Sequence, residues 1–187
     1  MKSVLLSIKP KYCELIAGGI KTIEVRKTKP KLDTPFKCYI YCTKDKNISF
    51  WTGKRYSYAD DRSHNLFDVC GNGKVIGEFI CDKVDNYDDN IIHCFSHEDY
   101  IGWNDFDLDR CCIHPQDFEE YANGKWLYGW HISNLKIYDK PKELKEFRQC
   151  HKCEHYFYCK SGEYSCDGTY KLTRPPQSWC YVEEVEE

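Results

Sequence analysis

Apolar alternation in this chain comes in short runs, each closed by glycine, proline or a polar turn, and that punctuation limits the architecture more than any other feature. Val4, Leu6 and Ile8 alternate with polar or mixed neighbours as in a strand. Pro10 suits the first turn of a helix with Tyr12, Leu15 and Ile16 on one face, and Gly18-Gly19 is its stop. A second strand follows over residues 22–26, a loop over 30–35 and a third strand over 37–43. Within residues 44–72, Phe50-Trp51 and Tyr56-Ser57-Tyr58 predict a hairpin or an ordered loop. After the turn signal Gly71-Asn72-Gly73, residues 74–84 (KVIGEFICDKV) form the clearest strand. Ser96-His97-Glu98-Asp99 resembles a capping box. His114-Pro115 opens a helix with Phe118 and Tyr121 as its apolar stripe and Asn123-Gly124 as its end. Residues 126–138 predict one long strand with Trp126, Tyr128, Trp130 and Ile132 on one face, and residues 141–147 a last short helix. This order predicts an α+β fold: a small mixed or antiparallel β-barrel flanked by short helices, not a doubly wound parallel sheet. Neither a P-loop nor a G-x-G-x-x-G run is present, and there is no internal repeat.

At 187 residues the chain has room for one ordinary domain plus an insert. Its aromatic content of 16% fits a small barrel whose interior is filled by rings, with spare rings left to stack on bases. No apolar run approaches the ~20 residues that cross a bilayer, and the N-terminus enters a strand directly, with no secretory signal. A soluble, cytoplasmic protein without a membrane partner is therefore expected. The 13 cysteines then belong to a reducing compartment, with Cys38, Cys42 and Cys81 as small buried hydrophobes inside strands. Cys111-Cys112 reads as packing, and His93, Cys94 and His97 as loop and cap residues. Net charge is −3, but residues 1–46 hold eleven Lys or Arg against four acids. A basic face on an acidic protein can follow from that asymmetry.

Residues 19–26 (GIKTIEVR) carry the most chemistry. On a strand, Ile23 and Val25 would enter the core, and Thr22, Glu24 and Arg26 would line the opposite face with Lys21 at the entrance. Arg26 offers a fork of donors for a phosphate or base edge, and Glu24 can orient it or accept from an exocyclic amine. The plainer alternative is an amphipathic strand with a surface Glu–Arg pair.

The segment Ser7-Ile8-Lys9-Pro10, the helix, and then G-x-K-T-x-E-x-R together resemble the ASCH family of the PUA-like superfamily. Residues 74–79 resemble that family's central strand, and the helix through Phe118-Glu119-Glu120-Tyr121, Gly124-Lys125, the strand after it, residues 140–144 and the late Pro-Pro-Gln-Ser-Trp resemble a bacterial and phage subgroup of it. The resemblance implies a PUA-like β-barrel with a cleft between barrel and helices, and a ligand that is RNA, single-stranded nucleic acid or a modified nucleoside. It places Lys21, Glu24 and Arg26 in that cleft. A nucleic acid bound there is expected to meet Thr22 beside them, with Lys9 and Lys27 contacting phosphate. Some ASCH proteins are amidohydrolases for acylated cytidine that use a lysine and a threonine of this motif. Lys21 holds the lysine's place, whereas Glu24 holds the threonine's. An enzyme, either nucleoside amidohydrolase or nuclease, would then use Glu24 as general base with Lys21 stabilising negative charge.

Cys150, Cys153, Cys159 and Cys166 lie in a segment with almost no aliphatic residues. Four thiolates at short spacing suit tetrahedral structural zinc, which would supply the ordering energy that the segment lacks. His151, His155 and Cys180 are alternative ligands, and an iron–sulfur cluster is the alternative occupant. The expected organisation is a barrel over residues 1–147, a zinc-knuckle-like insert over 148–173, and a segment 174–187 returning to the barrel. A third function is a protein-interaction module of mobile-element origin that docks a protein partner through 148–173.

Overall fold

The computed structural model describes residues 2–52, 69–88, 91–92, 105–150 and 169–185. They contain twelve strands, β1 (Lys2–Ile8), β2 (Ile23–Arg26), β3 (Phe36–Cys42), β4 (Trp51–Thr52), β5 (Val69–Cys70), β6 (Val75–Cys81), β7 (Val84–Tyr87), β8 (Leu127–His131), β9 (Ser133–Lys142), β10 (Arg148–Cys150), β11 (Thr169–Lys171) and β12 (Trp179–Glu183). Three helices accompany them: α1 (Pro10–Ala17), α2 (Asp105–Cys111) and α3 (Pro115–Ala122). The chain falls into two compact units, residues 1–13, 37–78 and 136–187 in one and residues 14–36 and 79–135 in the other.

The first unit is built on a seven-stranded sheet in the order β11-β10-β12-β1-β3-β6-β9. β1 is parallel to β3 and antiparallel to β12, so the sheet is mixed. β1 is buried along almost its whole length because it is central, with both faces covered. Leu5, Tyr39, Val75, Phe147 and Val182 meet in the core, where the Tyr39 and Phe147 rings pack edge to face at 5.0 Å. Gly77 of β6 is required by packing, since a Cβ there would come within 2.5 Å of the Lys136 carbonyl oxygen. Among the described residues the ladder is an open sheet, so the barrel closure expected from the sequence is not seen. Short runs punctuated by turns fit an open mixed sheet as well as a barrel.

The second unit holds a three-stranded antiparallel sheet, β2-β8-β7, with β8 in the middle. Ile23, Val25 and Leu127 point from one face into a core with Leu108 and Phe118 from the helices. α3 follows its sequence signals closely. The His114 side chain accepts from the Gln116 backbone N–H, Pro115 opens the helix, and Asn123 ends it with a left-handed φ of 48°. Its buried stripe is Phe118 and Ala122, while Tyr121 is exposed.

Three expected elements are divided or replaced. The strand over 74–84 breaks at Asp82-Lys83 into β6 and β7, and the Lys83 carbonyl accepts from the His131 backbone N–H instead. The strand over 126–138 breaks at Ile132, next to the left-handed Asn134, and Trp126 lies exposed before β8. The helix expected over 141–147 is replaced by the end of β9 and a 3-10 turn at Leu144–Glu146. Pro141 is tolerated there because β9 is an edge strand, where a missing N–H breaks no ladder. Phe50-Trp51 leads into the β4–β5 pair, whereas Tyr56-Ser57-Tyr58 and the Ser96 capping box lie outside the described residues. Among the described residues, no helix is long and apolar enough to cross a membrane.

Candidate ligand site on the second strand

The end of α1 aims Lys21. Gly19, at φ 71°, is left-handed, its N–H donates to the Ile16 carbonyl and the Ile20 N–H donates to the Leu15 carbonyl. This is a Schellman ending, which the absence of a Cβ at Gly19 makes inexpensive. The chain leaves it with Ile20 exposed and Lys21 buried at 2% exposure. The Lys21 ammonium donates to the carbonyl of Cys111, at the C-terminus of α2, while the Thr22 N–H donates to the carbonyl of Arg110. A buried cation and the N–H just before β2 thus satisfy carbonyls at the negative end of a helix.

β2 then places Glu24 between two cations. Glu24 Oε2 lies 3.4 Å from Lys21 Nζ, and Glu24 Oε1 lies 2.9 Å from Arg26 Nη2. Side-chain exposures are 1% for Lys21, 8% for Glu24 and 9% for Arg26, so the surface Glu–Arg pair is excluded. Glu24 sits directly opposite Trp130 and Arg26 opposite Tyr128, which puts the charged residues on the sheet face that Ile23 and Val25 do not use. The alternation read from the sequence is present, but both faces are buried.

A second set of side chains braces this strand. Arg110 Nε donates to Thr22 Oγ1 at 3.0 Å, and Arg110 Nη2 lies 3.3 Å from His131 Nδ1. The opposite ring nitrogen, His131 Nε2, lies 2.5 Å from Asp85 Oδ2, and Lys83 Nζ lies 2.8 Å from Asp85 Oδ1. A guanidinium can only donate, so Nδ1 accepts and Nε2 carries the proton that goes to Asp85. Burial pushes the Asp85 carboxyl up, but the hydrogen bonds from Lys83 and His131 and the charge of Lys83 outweigh it and hold it below the usual carboxylate range. Both imidazole nitrogens are therefore committed inside the protein, and the set serves to hold α2, β7 and β8 against β2. Sequence reading missed it because its members are spread over residues 22–131. Only the register that sets Asp85 against Gly129, and His131 against Ile23, brings them together.

Lys27 follows directly on β2 with its ammonium 5.0 Å from the Tyr121 ring centroid. Lys9 is exposed at the start of α1 and belongs to the first unit. Cys38, Cys42 and Cys81 are fully buried, and burial pushes the Cys81 thiol up to about 12, as for an inert packing residue. Cys153, Cys159 and Cys166 lie outside the described residues, as does the side chain of Cys150 at the end of β10. Among the described residues, no group of three or more His, Cys, Asp or Glu is placed to hold a metal.

No protein-family model matches the chain, and no curated protein matches its sequence. Solved structures do match in fold. The ASCH protein of Zymomonas mobilis superposes with a TM-score of 0.54 at 15% identity, covering 97% of this chain and 88% of that one. A single-residue variant of the same protein gives 0.55 at 14% identity, covering 98% and 92%. Short helices around mixed sheets, matched over nearly the whole length of both chains, make this an ASCH-like α+β fold.

Proposed function

We propose that this protein binds RNA or another single-stranded nucleic acid, or a modified base within one, through the end of β2. The observation that carries the reading is the Lys21–Glu24–Arg26 cluster, three charged side chains each less than a tenth exposed on one four-residue strand and the residues before it. Buried charges are a costly way to hold a fold together, because apolar residues of similar volume do as well or better. A cluster retained at that cost fits a ligand role. Lys21 anchors Glu24, Glu24 orients the Arg26 guanidinium, and Arg26 presents its donors to phosphate or a base edge, with Lys27 beside it. The ASCH-like fold supports the same reading.

The geometry favours binding over hydrolysis by Lys21 and Glu24. The Lys21 ammonium is held by the Cys111 carbonyl as well as by Glu24, and the Thr22 hydroxyl accepts from Arg110. An acyl-transfer enzyme needs a hydroxyl activated by a base, and neither group is poised that way. Arg26→Ala is expected to weaken single-stranded RNA binding about tenfold or more, in the range of a lost charge-assisted hydrogen-bond pair. The exposed Lys145→Ala should leave binding nearly unchanged, and thermal melts of both variants would separate unfolding from lost contact. Equal effects of the two substitutions would discard the site, and turnover of acylated cytidine that depends on Lys21 or Glu24 would replace binding with hydrolysis.

Structural zinc at Cys150, Cys153, Cys159 and Cys166 is a separate proposal, resting on their spacing. β10 and β11 pair antiparallel, with Cys150 opposite Thr169, so the two ends of the segment that carries the other three cysteines lie side by side. Metal analysis of the purified protein should find one equivalent of zinc; zero equivalents would end the proposal.

A further inference from the structure

The same sheet face extends beyond Arg26 into a row of aromatic and cationic side chains. Tyr128 of β8 lies directly opposite Arg26, and Asn86 of β7 lies directly opposite Tyr128. Lys29 reaches over this row, its ammonium 5.3 Å from the Tyr128 ring centroid and 3.3 Å from Asn86 Oδ1. Trp126, immediately before β8, is 54% exposed, while Tyr121, 38% exposed under Lys27, belongs to α3 on the Ile23–Val25 side of the sheet. The stretch from Arg26 to Lys31 holds four cations and no acid. The exposed Trp126 ring adds little to a core, and Tyr128 is half-buried with its outer part in reach of a ligand. Interleaved with lysines, they have the composition of a surface on which bases stack while phosphates are neutralised.

We infer that Trp126 and Tyr128 form a stacking platform for unpaired bases of a single-stranded nucleic acid whose phosphates lie along Lys27 and Lys29. The inference rests on the nucleic-acid reading above and names the residues that would take the bases. Lys29 already rests on Tyr128, so an arriving base would displace the ammonium toward a phosphate. A double helix is a poor fit, because its bases are stacked on one another and their faces are closed to a protein ring.

Stacking and charge neutralisation respond differently to salt, and this supplies the test. Labelled oligouridylate and its deoxy counterpart would be titrated against the full chain at several salt concentrations. Trp126→Ala, at an exposed position, should weaken binding about tenfold while leaving the salt slope unchanged, whereas Trp126→Tyr should restore most of the loss. Lys29→Ala should weaken binding and reduce the magnitude of the salt slope by about 0.7. An oligonucleotide with abasic sites should bind the wild type and Trp126→Ala alike. If the wild type binds and Trp126→Ala binds equally well, the platform is wrong and the site at Arg26 stands. If the wild type binds no single strand, both fall. Preference for the ribose or the deoxyribose strand would show whether the 2′-hydroxyl is read, and tighter binding of a duplex than of either would overturn the platform.

Discussion

Glu24 is the residue on which the charged cluster depends. With Lys21 and Arg26 on either side of it, its removal leaves two buried cations facing each other. Glu24→Ala is therefore expected to cost about 3–5 kcal/mol in urea unfolding. Replacing the cluster as a whole, Lys21→Met with Glu24→Leu and Arg26→Met, should cost less than the single change because no orphaned charge remains, yet it should abolish ligand binding. A triple variant less stable than Glu24→Ala would mean that the cluster is there to hold the fold. Asp85 makes a prediction about pH. Its carboxyl is held below the usual range by Lys83 and His131, so its folded pKa lies under the unfolded value of about 3.9. The stability it contributes is fully present above that value and is lost as pH falls through the folded pKa. Melting temperature should fall less steeply below about pH 4 in Asp85→Asn than in the wild type; parallel acid limbs would show that the Asp85 contacts to Lys83 and His131 contribute nothing.

At the scale of elements, β8 is the piece on which the second unit turns. It is the middle strand, and Gly129 at its centre lies against Tyr87 and Ile23: a Cβ would meet Tyr87 Oη at 2.6 Å and Ile23 Cγ2 at 3.0 Å. Gly129→Ala should destabilise by about 1–3 kcal/mol through overpacking, read as a lower urea midpoint; an unchanged midpoint would show that Tyr87 can move aside. Gly129 also shows what the sequence could and could not reveal. The capping signals of α3 are local, and both His114-Pro115 and Asn123-Gly124 sit where they predicted. The alternation of β2 is local too, and Ile23 and Val25 did enter the core. Burial of the opposite face depends on what other strands lay over it, and nothing within residues 19–26 carries that information. The breaks at Asp82-Lys83 and Ile132 have the same origin, since each is fixed by a backbone hydrogen bond to a remote segment: His131 N–H to the Lys83 carbonyl, and Ile132 N–H to the Thr22 carbonyl.

For the molecule as a whole, the fold sets its chemistry apart from its charge balance. A net charge of −3 gives no hint of a nucleic-acid binder, yet three cations, Lys27, Lys29 and Lys31, follow directly on the buried cluster. The acidic C-terminal stretch is used elsewhere, with Glu184 taking Lys37 at 3.2 Å and Glu183 facing Arg148 at 3.6 Å within the first unit. Local charge, not the sum, decides whether a polyanion is held. The most direct measurement is the affinity of the purified protein for a labelled single-stranded RNA, followed by fluorescence anisotropy from low to physiological salt. Arg26, Lys27 and Lys29 acting on phosphates would give a log–log salt slope near −2, at about −0.7 per contact, with a matched duplex bound more weakly. No binding to the single strand, or a duplex bound as tightly, would contradict the account.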